Sequence, residues 1–194
     1  MRRGIKVSNT NDNSIFIQYN SSYSNTSMLT ECSEELKKHN ICIQVRDLNG
    51  TIMHGSLDFI DYEFIEFAYE LIQTIILSGC YDIIKFSILN IWRSIRSRDS
   101  KIPFTIKVSG IPTETGSENI SCKIEGTLTD EQKSMVISKT FDLANNIAND
   151  SFKLKERSKF YDAFNAHVFR IDVENELISE IDIEEEVRKL SSDK

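Results

Sequence analysis

Apolar residues recur at every second position in several short segments of the chain. The pattern is present in residues 14–19, 41–45, 103–109 and 120–126. Because successive side chains of a β-strand point to opposite faces of a sheet, this spacing predicts strands with one buried face. Residues 166–173, with the sequence AHVFRIDV, fit a further strand.

Turn signals predict that these strands pair as two hairpins. Asn49 and Gly50 follow the second strand, and this dipeptide supplies the two positive φ angles of a type I′ turn. Residues 41–57 are therefore predicted to form the first hairpin. The second is predicted for residues 103–126, with the polar stretch 110–119 as a long loop.

Apolar residues at helical spacing predict helices in three regions. A short amphipathic helix is predicted for residues 28–39, and one long apolar helix, or a pair broken near Gly79, for residues 61–98. A third helix begins after Thr129, which forms a capping box with Gln132. The predicted core stripe of the long helix comprises Phe64, Phe67, Ala68, Leu71 and Ile75.

The long apolar region raises the question whether it crosses a membrane. Its longest stretch without a charge, residues 71–81, has eleven residues, and Asp82 and Lys85 then interrupt it. A transmembrane helix needs about 20 apolar residues in succession. The pattern therefore favours a helix buried in the core of a domain. A helix that docks on a partner, and a membrane anchor formed by residues 71–92, are the alternatives.

The order of elements is a strand, a helix, a hairpin, the long helix, a second hairpin and a helix. This order lacks a regular strand–helix alternation, so the predicted class is α+β. We expect a mostly antiparallel sheet of two hairpins, packed on the long apolar helix or helix pair. Residues 1–150 are predicted to form this domain. Residues 151–194 are predicted to be an acidic C-terminal segment, in which residues 174–190 form a helix or a solvated tail.

Composition and charge limit the classes of partner. Of the 194 residues, 40% are hydrophobic and 27% charged, which is typical of a globular protein. The net charge is −7, and residues 172–194 carry −6 of it, with nine acidic and three basic side chains. The rest of the chain is nearly neutral and has no basic footprint, so nucleic-acid binding is not expected.

Known catalytic and metal-binding motifs are absent from the sequence. His39, His54 and His167 have no metal-ligand spacing, and each is interpreted as a surface or turn residue. We expect no metal or cofactor. A non-enzymatic role is favoured, and an enzyme of unrecognised type is the alternative. A cleft that gathers His54 or His167 with carboxylates would favour the enzyme.

The cysteines and the N-terminal sequence favour the cytoplasm. Four cysteines are widely spaced and lie among apolar neighbours, which is typical of buried free thiols. They are Cys32, Cys42, Cys80 and Cys122. The basic residues at the N-terminus are not followed by an apolar stretch of the kind found in signal peptides.

Two groups of residues are candidates for binding a protein partner, either a second copy or an effector. The first is the end of the long helix, where a tryptophan is followed by arginines: Trp92, Arg93, Arg96 and Arg98. The second is the apolar set of the acidic segment, Ile178, Ile181 and Val187. Such a segment folds against a partner or packs on the sheet.

The first of these groups, with the hairpin at residues 103–126, resembles the effector-associated constant component proteins of bacterial conflict systems. The resemblance covers residues 14–147, although the glycine-rich stretch of that family is missing before the helix. It implies a small α+β module without catalytic residues. Its implied role is an adaptor that links an effector or sensor to its partner in bacterial defence.

Overall fold

A computed structural model of the protein describes residues 13–19, 26–47, 63–77, 81–95, 104–124, 126, 128–157 and 165–182. Seven strands and four helices lie within these residues. In chain order they are β1 (Ser14–Tyr19), α1 (Thr26–Lys37), β2 (Cys42–Asp47), β3 (Glu63–Ala68), α2 (Tyr69–Leu77), α3 (Tyr81–Ile95), β4 (Phe104–Thr113), β5 (Gly116–Ile124), α4 (Asp130–Ala148), β6 (His167–Asp172) and β7 (Leu177–Glu180).

The strands form one mixed sheet in the order β2-β1-β3-β4-β5-β6-β7. Three neighbouring pairs are parallel, namely β1 with β2, β3 with β4 and β5 with β6. The other three pairs are antiparallel. The α+β class is confirmed, and the expected mostly antiparallel sheet is wrong. Parallel neighbours need a crossover connection, and here the chain between the two strands of each parallel pair contains one or two helices.

The four helices lie on one face of the sheet, since α3 contacts α1, α2 and α4, while α2 and α4 contact β4. Register explains why this face is apolar. Ile15, Phe67, Val108 and Ile120 lie side by side across four strands, and all four are buried. Burial of this apolar row under the helices is the main stabilising contribution to the fold.

Of the two alternatives predicted for residues 61–98, the single long helix is wrong, and the helix pair is confirmed from Tyr69 onward. Residues 63–68 form β3, and α2 and α3 follow as two shorter helices. In β3, Ile65 and Phe67 lie on the helix-covered face, while the ring of Phe64 on the other face lies 5.7 Å from that of Phe16. A strand with apolar residues on both faces loses the alternation that identifies strands in a sequence.

The second predicted hairpin is confirmed, but its long polar loop is wrong. Strands β4 and β5 extend through that stretch and leave only Glu114 and Thr115 as the turn. A bulge lies between Val108 and Ile111, at the point where Gly110 adopts a φ of +73°. In the first predicted hairpin, β2 pairs parallel with β1, and the predicted turn lies outside the described residues.

The predicted start of α4 is confirmed at atomic detail. The backbone N–H of Gln132 donates to Thr129 Oγ1 at 3.2 Å, and the Thr129 N–H donates to Gln132 Oε1 at 2.9 Å. This reciprocal pair satisfies donors that a helix start otherwise leaves without partners.

The C-terminal segment contributes two strands to the sheet. The predicted strand in residues 166–173 is confirmed as β6, which pairs with β5. The helix or solvated tail expected for residues 174–190 is wrong at its start, where β7 pairs antiparallel with β6. Residues 183–194 lie outside the described residues. The turn between the strands is held by Asp172, whose Oδ1 accepts from the N–H groups of Glu174 and Asn175.

The apolar helices among the described residues are shorter than a membrane span. The apolar helices α2 and α3 have nine and 15 residues. None of the helices in the described part of the chain is long and apolar enough to cross a membrane.

Trp92 is a central residue of the core. It is 1% exposed, and its ring stacks on that of Phe104 with 4.5 Å between the ring centroids. Its Nε1 is buried and has no hydrogen-bond acceptor among the described residues. A buried donor without a partner costs about 1–3 kcal/mol of stability.

We predict that Trp92→Phe changes the free energy of unfolding by less than about 1.5 kcal/mol, because the ring contact stays and the unpaired donor is removed. Trp92→Ala leaves a cavity and costs about 3–5 kcal/mol. Urea unfolding of the two variants gives both free energies. It is followed by circular dichroism and not by fluorescence, because Trp92 is the only tryptophan and both substitutions remove it. Equal losses in the two variants would contradict the placement of the ring.

The cysteines divide into two environments. Cys32 and Cys122 are buried free thiols as predicted, whereas Cys42 is exposed on β2, so burial is wrong for that residue. Cys80 lies outside the described residues. Burial raises the pKa of the Cys122 thiol to about 12.

We predict that iodoacetamide at about pH 8.5 alkylates Cys42 in the folded protein and spares Cys122, because the thiolate is the reacting form and Cys122 is both covered and protonated. Peptide mass spectrometry after timed quenching measures the two rates. Denaturation in urea serves as the control and should make the rates similar. Comparable labelling of both thiols without denaturant would mean that Cys122 is not buried in the folded protein.

Candidate functional site

The helix-covered face of the sheet changes from apolar to polar at its β5–β7 end. His167 lies beside Ile120 in the register, and Glu180 lies beside Phe169. Glu118 is on the same face of β5 as Ile120, two residues earlier. Three ionisable side chains therefore occupy positions that are apolar in the other strands.

These residues form a compact buried group, named the His167 cluster and defined as Glu118, His167 and Glu180. The imidazole lies between the two carboxylates. Its Nδ1 is 2.7 Å from Glu180 Oε1, and its Nε2 is 3.5 Å from Glu118 Oε2. The three side chains are only 5–8% exposed. Burial of ionisable groups is unfavourable unless they are paired and hydrogen-bonded. Here each carboxylate lies within 3.5 Å of one nitrogen of the imidazole.

An extended segment after α4, residues 152–157, covers the cluster and is named the strap. The Lys155 N–H donates to Glu180 Oε2 at 2.9 Å, and Lys155 Nζ donates to the Glu180 carbonyl at 3.2 Å. Arg157 donates to Glu118 Oε1 at 2.6 Å. Both buried carboxylates thus accept hydrogen bonds from the same short segment, and the strap connects the ends of β5 and β7.

The strap borders an open cleft of about 580 Å³. Glu118 and His167 line it, and its apolar lining is provided by Ile147, Ala148, Phe152 and Leu154. The remaining lining residues are polar or charged: Thr113, Glu114, Thr115, Asp150, Lys153, Lys155, Glu156 and Arg157. A concave site with a few convergent polar groups is the usual form of a small-molecule site.

The interpretation of each histidine as a surface or turn residue is wrong for His167. His39 fits that interpretation in the turn after α1, and His54 lies outside the described residues. A cleft with a histidine and carboxylates, the arrangement that favours an enzyme, is present at His167, but the three side chains are buried and bonded to one another and to the strap, so the enzyme stays the alternative. Within the described part of the chain, no three His, Cys, Asp or Glu side chains are placed to hold a metal ion.

A second surface feature lies between α1 and α3 and is named the α1–α3 groove. Its volume is about 560 Å³. Met28 and Cys32 line it from α1, and Ile83 and Phe86 line it from α3. Phe86 is 59% and Ile83 is 46% exposed. Ile83 and Phe86 are exposed because they lie outside the face of α3 that is turned to the core, which carries Ile84, Ile88 and Ile91.

The rim of the groove is acidic. Glu31 and Glu35 of α1 and Asp82 of α3 line it, together with Ser87 and Asn90. Lys85 of α3 is directed to the other side, where its Nζ donates to Ser138 of α4 at 2.7 Å. Among the described residues, no cationic side chain lines the groove.

The structure separates the partner-binding residues predicted near the end of α3. Trp92 lies in the core, so its indole is not available on the surface. Arg93 is half-buried and donates to both carboxylate oxygens of Asp130, at 3.0 and 2.6 Å. This pairing lowers the pKa of Asp130 to about 2. Arg96 and Arg98 lie outside the described residues.

The predicted residues of the acidic segment are also dispersed. Ile178 is half-buried in β7 and packs against the core, and Ile181 follows it with its N–H donating to the Val168 carbonyl at 2.8 Å. Val187 lies outside the described residues. Partner binding by these two groups stays a prediction. The sequence shows Ile83 and Phe86 as part of the apolar run of residues 71–92, but it does not show that their side chains are exposed.

Comparison with known proteins provides no family or relative for this chain: no protein-family model, curated protein or solved structure matches it.

We predict that Glu180→Ala lowers the free energy of unfolding by about 3 kcal/mol, because it removes a buried carboxylate that His167 and the strap both contact. Glu34→Ala, at an exposed position of α1, should change it by less than about 0.5 kcal/mol. Urea unfolding of both variants, followed by circular dichroism, makes the comparison. If the two variants lose equal stability, the cluster does not hold the β5–β7 end together.

Proposed function

We propose that the protein is a non-enzymatic interaction module, an adaptor or regulatory subunit, that binds a basic amphipathic helix of a partner protein in the α1–α3 groove. The observation that carries the proposal is the exposure of Ile83 and Phe86 inside a groove whose charged lining is acidic.

The apolar part of the groove supplies the affinity. A phenylalanine side chain contributes about 1.5–3 kcal/mol when it is fully transferred from water to an apolar contact. Phe86 and Ile83 are neighbours on the surface of α3, so they form one apolar contact surface for the apolar face of a docked helix. Met28 of α1 adds a flexible side chain that adapts to the shape of the partner.

The charges of the rim select the partner. Glu31 and Asp82 attract a segment with cationic residues along its flanks and raise its rate of association at low salt, whereas Glu35 is already paired with Lys38. In a symmetric contact between two copies, both acidic rims would approach each other. Such a contact is unfavourable, so a different protein of opposite charge fits this groove better than a second copy.

The resemblance to constant components of bacterial conflict systems supports the same class of role. Within this proposal the partner is an effector or sensor of such a system, and the two proteins meet in the cytoplasm. The α+β class of the chain agrees with the small module that the resemblance implies.

We predict that a 20-residue helical peptide with leucines at positions i, i+3, i+4 and i+7 and lysines elsewhere, used as the probe, binds the protein in a fluorescence anisotropy titration. Phe86→Asp should weaken this binding at least about tenfold, which corresponds to 1.4 kcal/mol. Raising the salt concentration should weaken it further, since the rim charges are exposed.

Leu177→Asp is the matched control, because Leu177 is 63% exposed but lies on β7, outside the groove. It should leave the affinity unchanged. A version of the peptide with glutamates in place of the lysines tests the acidic rim and should not bind. The proposal fails if Phe86→Asp and Leu177→Asp bind the basic peptide equally, or if the two peptides bind equally well.

A further inference from the structure

The two edges of the sheet are built differently. Strand β7 forms one edge, and it has only four residues. The strap is bonded to this edge, since Lys155 Nζ donates to the Glu180 carbonyl at 3.2 Å. Strand β2 forms the other edge of the described sheet and has six residues. Within the described part of the chain, β1 is its only neighbour in the sheet.

Strand β2 lacks most of the features that protect an edge strand from pairing with another chain. Such features are proline, lysine, a bulge or a very short strand. The sequence of β2 is CIQVRD, and its register with β1 is regular over all six residues. Its charged residues, Arg46 and Asp47, stand together at its C-terminal end, and Val45 before them is 50% exposed. The first four residues of β2 are therefore a template for a further strand.

The hydrogen bonds to β1 show which backbone groups of β2 point away from the sheet. The Cys42 N–H donates to the Asn13 carbonyl at 3.0 Å, so the backbone groups of Cys42 face β1. Because this direction alternates along a strand, the groups of Gln44 also face β1. The N–H and C=O groups of Ile43 and Val45 therefore point outward. An added strand would bond to these groups.

The residues of β2 favour a second copy of the same strand as the partner. The strand carries one cation and one anion, so its net charge is zero and two copies do not repel each other there. In an antiparallel pair, Ile43 can lie opposite Val45 of the second copy, and Gln44 then lies opposite Gln44 of the second copy. This register pairs apolar side chains and brings no like charges together. Registers displaced toward the C-terminus place Ile43 opposite Asp47, or Arg46 opposite Arg46, and both are less favourable.

The protection of β7 limits the assembly to two chains. A two-fold axis through the β2 pair uses the same edge of both copies, so the contact is isologous and closed. The remaining edges of the joined sheet are the two β7 strands, each short and bonded to its own strap. The expected assembly is a dimer and not a filament.

We propose that the protein forms a two-fold dimer by antiparallel pairing of β2 with β2 of a second copy, with Gln44 at the symmetry axis. The two seven-stranded sheets become one continuous sheet. This inference goes beyond the proposed docking function and is independent of it, because no residue of β2 lines the α1–α3 groove. The dimer presents one groove on each chain.

The mass of the full-length protein in solution is the first test. Static light scattering is recorded from about 10 μM to about 1 mM, because small interfaces are usually weak. The mass of the wild-type protein should rise from one chain toward two. Val45→Lys should weaken the association at least about tenfold, because lysine protects an edge strand from pairing. Leu177→Lys is the matched control, since Leu177 is 63% exposed on the opposite edge strand, and it should associate as the wild-type protein does.

Val45→Pro separates pairing between chains from pairing within the chain. The Val45 N–H points outward, so proline removes no hydrogen bond to β1, and proline is tolerated at such a position of an edge strand. The variant should keep the circular dichroism spectrum of the wild-type protein and stay monomeric over the whole concentration range. It should bind the basic peptide as the wild-type protein does, because the groove is unchanged.

Cysteine crosslinking tests the register in a Cys42→Ser background. Gln44→Cys places two thiols opposite each other in a non-hydrogen-bonded pair, where the Cα atoms are about 4.5 Å apart and a disulfide can form. Val45→Cys places its thiols on a diagonal of about 7–8 Å, which is too long for a disulfide. Mild oxidation should therefore crosslink Gln44→Cys at least about tenfold faster than Val45→Cys. The Cys42→Ser protein alone gives the background from the other cysteines.

Three results would overturn the proposal. The first is a wild-type protein that stays monomeric over the whole concentration range. The second is a dimer that Val45→Lys and Leu177→Lys weaken equally, or crosslinking at equal rates in the two cysteine variants. The third is loss of the circular dichroism spectrum in Val45→Pro, since the outer side of β2 would then be bonded within the chain.

Discussion

Parallel strands that lie side by side in a sheet cannot be joined by a tight turn, and this constraint determines the arrangement of the molecule. Three of the six neighbouring pairs are parallel, and the chain between each pair forms helix: α1 between β1 and β2, α2 and α3 between β3 and β4, and α4 between β5 and β6. The helices contact one another, so these connections cover one common face. The α1–α3 groove exists because two of the connections pack against each other, and its exposed residues lie on the side of α3 that faces away from the sheet.

The second site lies where this helical cover ends. The apolar side of α4 includes Phe141, Ala144 and Ile147, and the helix stops at Ala148. Beyond this point the chain continues as the strap, and the inward positions of β5, β6 and β7 carry Glu118, His167 and Glu180. Polar side chains are tolerated on this face of the sheet because the strap, not an apolar helix, covers them and supplies donors to both carboxylates.

The sequence predicts the elements whose pattern is local and misses those whose pattern depends on distant neighbours. The capping box at Thr129, the alternation of β1 and the hairpin of β4 and β5 are properties of short segments, and the structure confirms them. In β3, an apolar residue stands at position 64 because its side chain packs against Phe16 of another strand. The apolar residues of β3 therefore have a spacing that is typical of a helix. For the site, the alternation of His167, Phe169 and Ile171 already places the histidine on an apolar face. The partners Glu118 and Glu180 follow from register, which a single sequence does not contain.

The two sites differ in what they require of the folded chain. Ile83 and Phe86 are exposed, so a substitution at either position is expected to change the stability of the fold only slightly. The His167 cluster is buried, so its charges are part of the folding free energy. Substitutions in the cluster are therefore expected to change the stability of the β5–β7 end of the sheet, whereas substitutions of Ile83 and Phe86 change the surface alone.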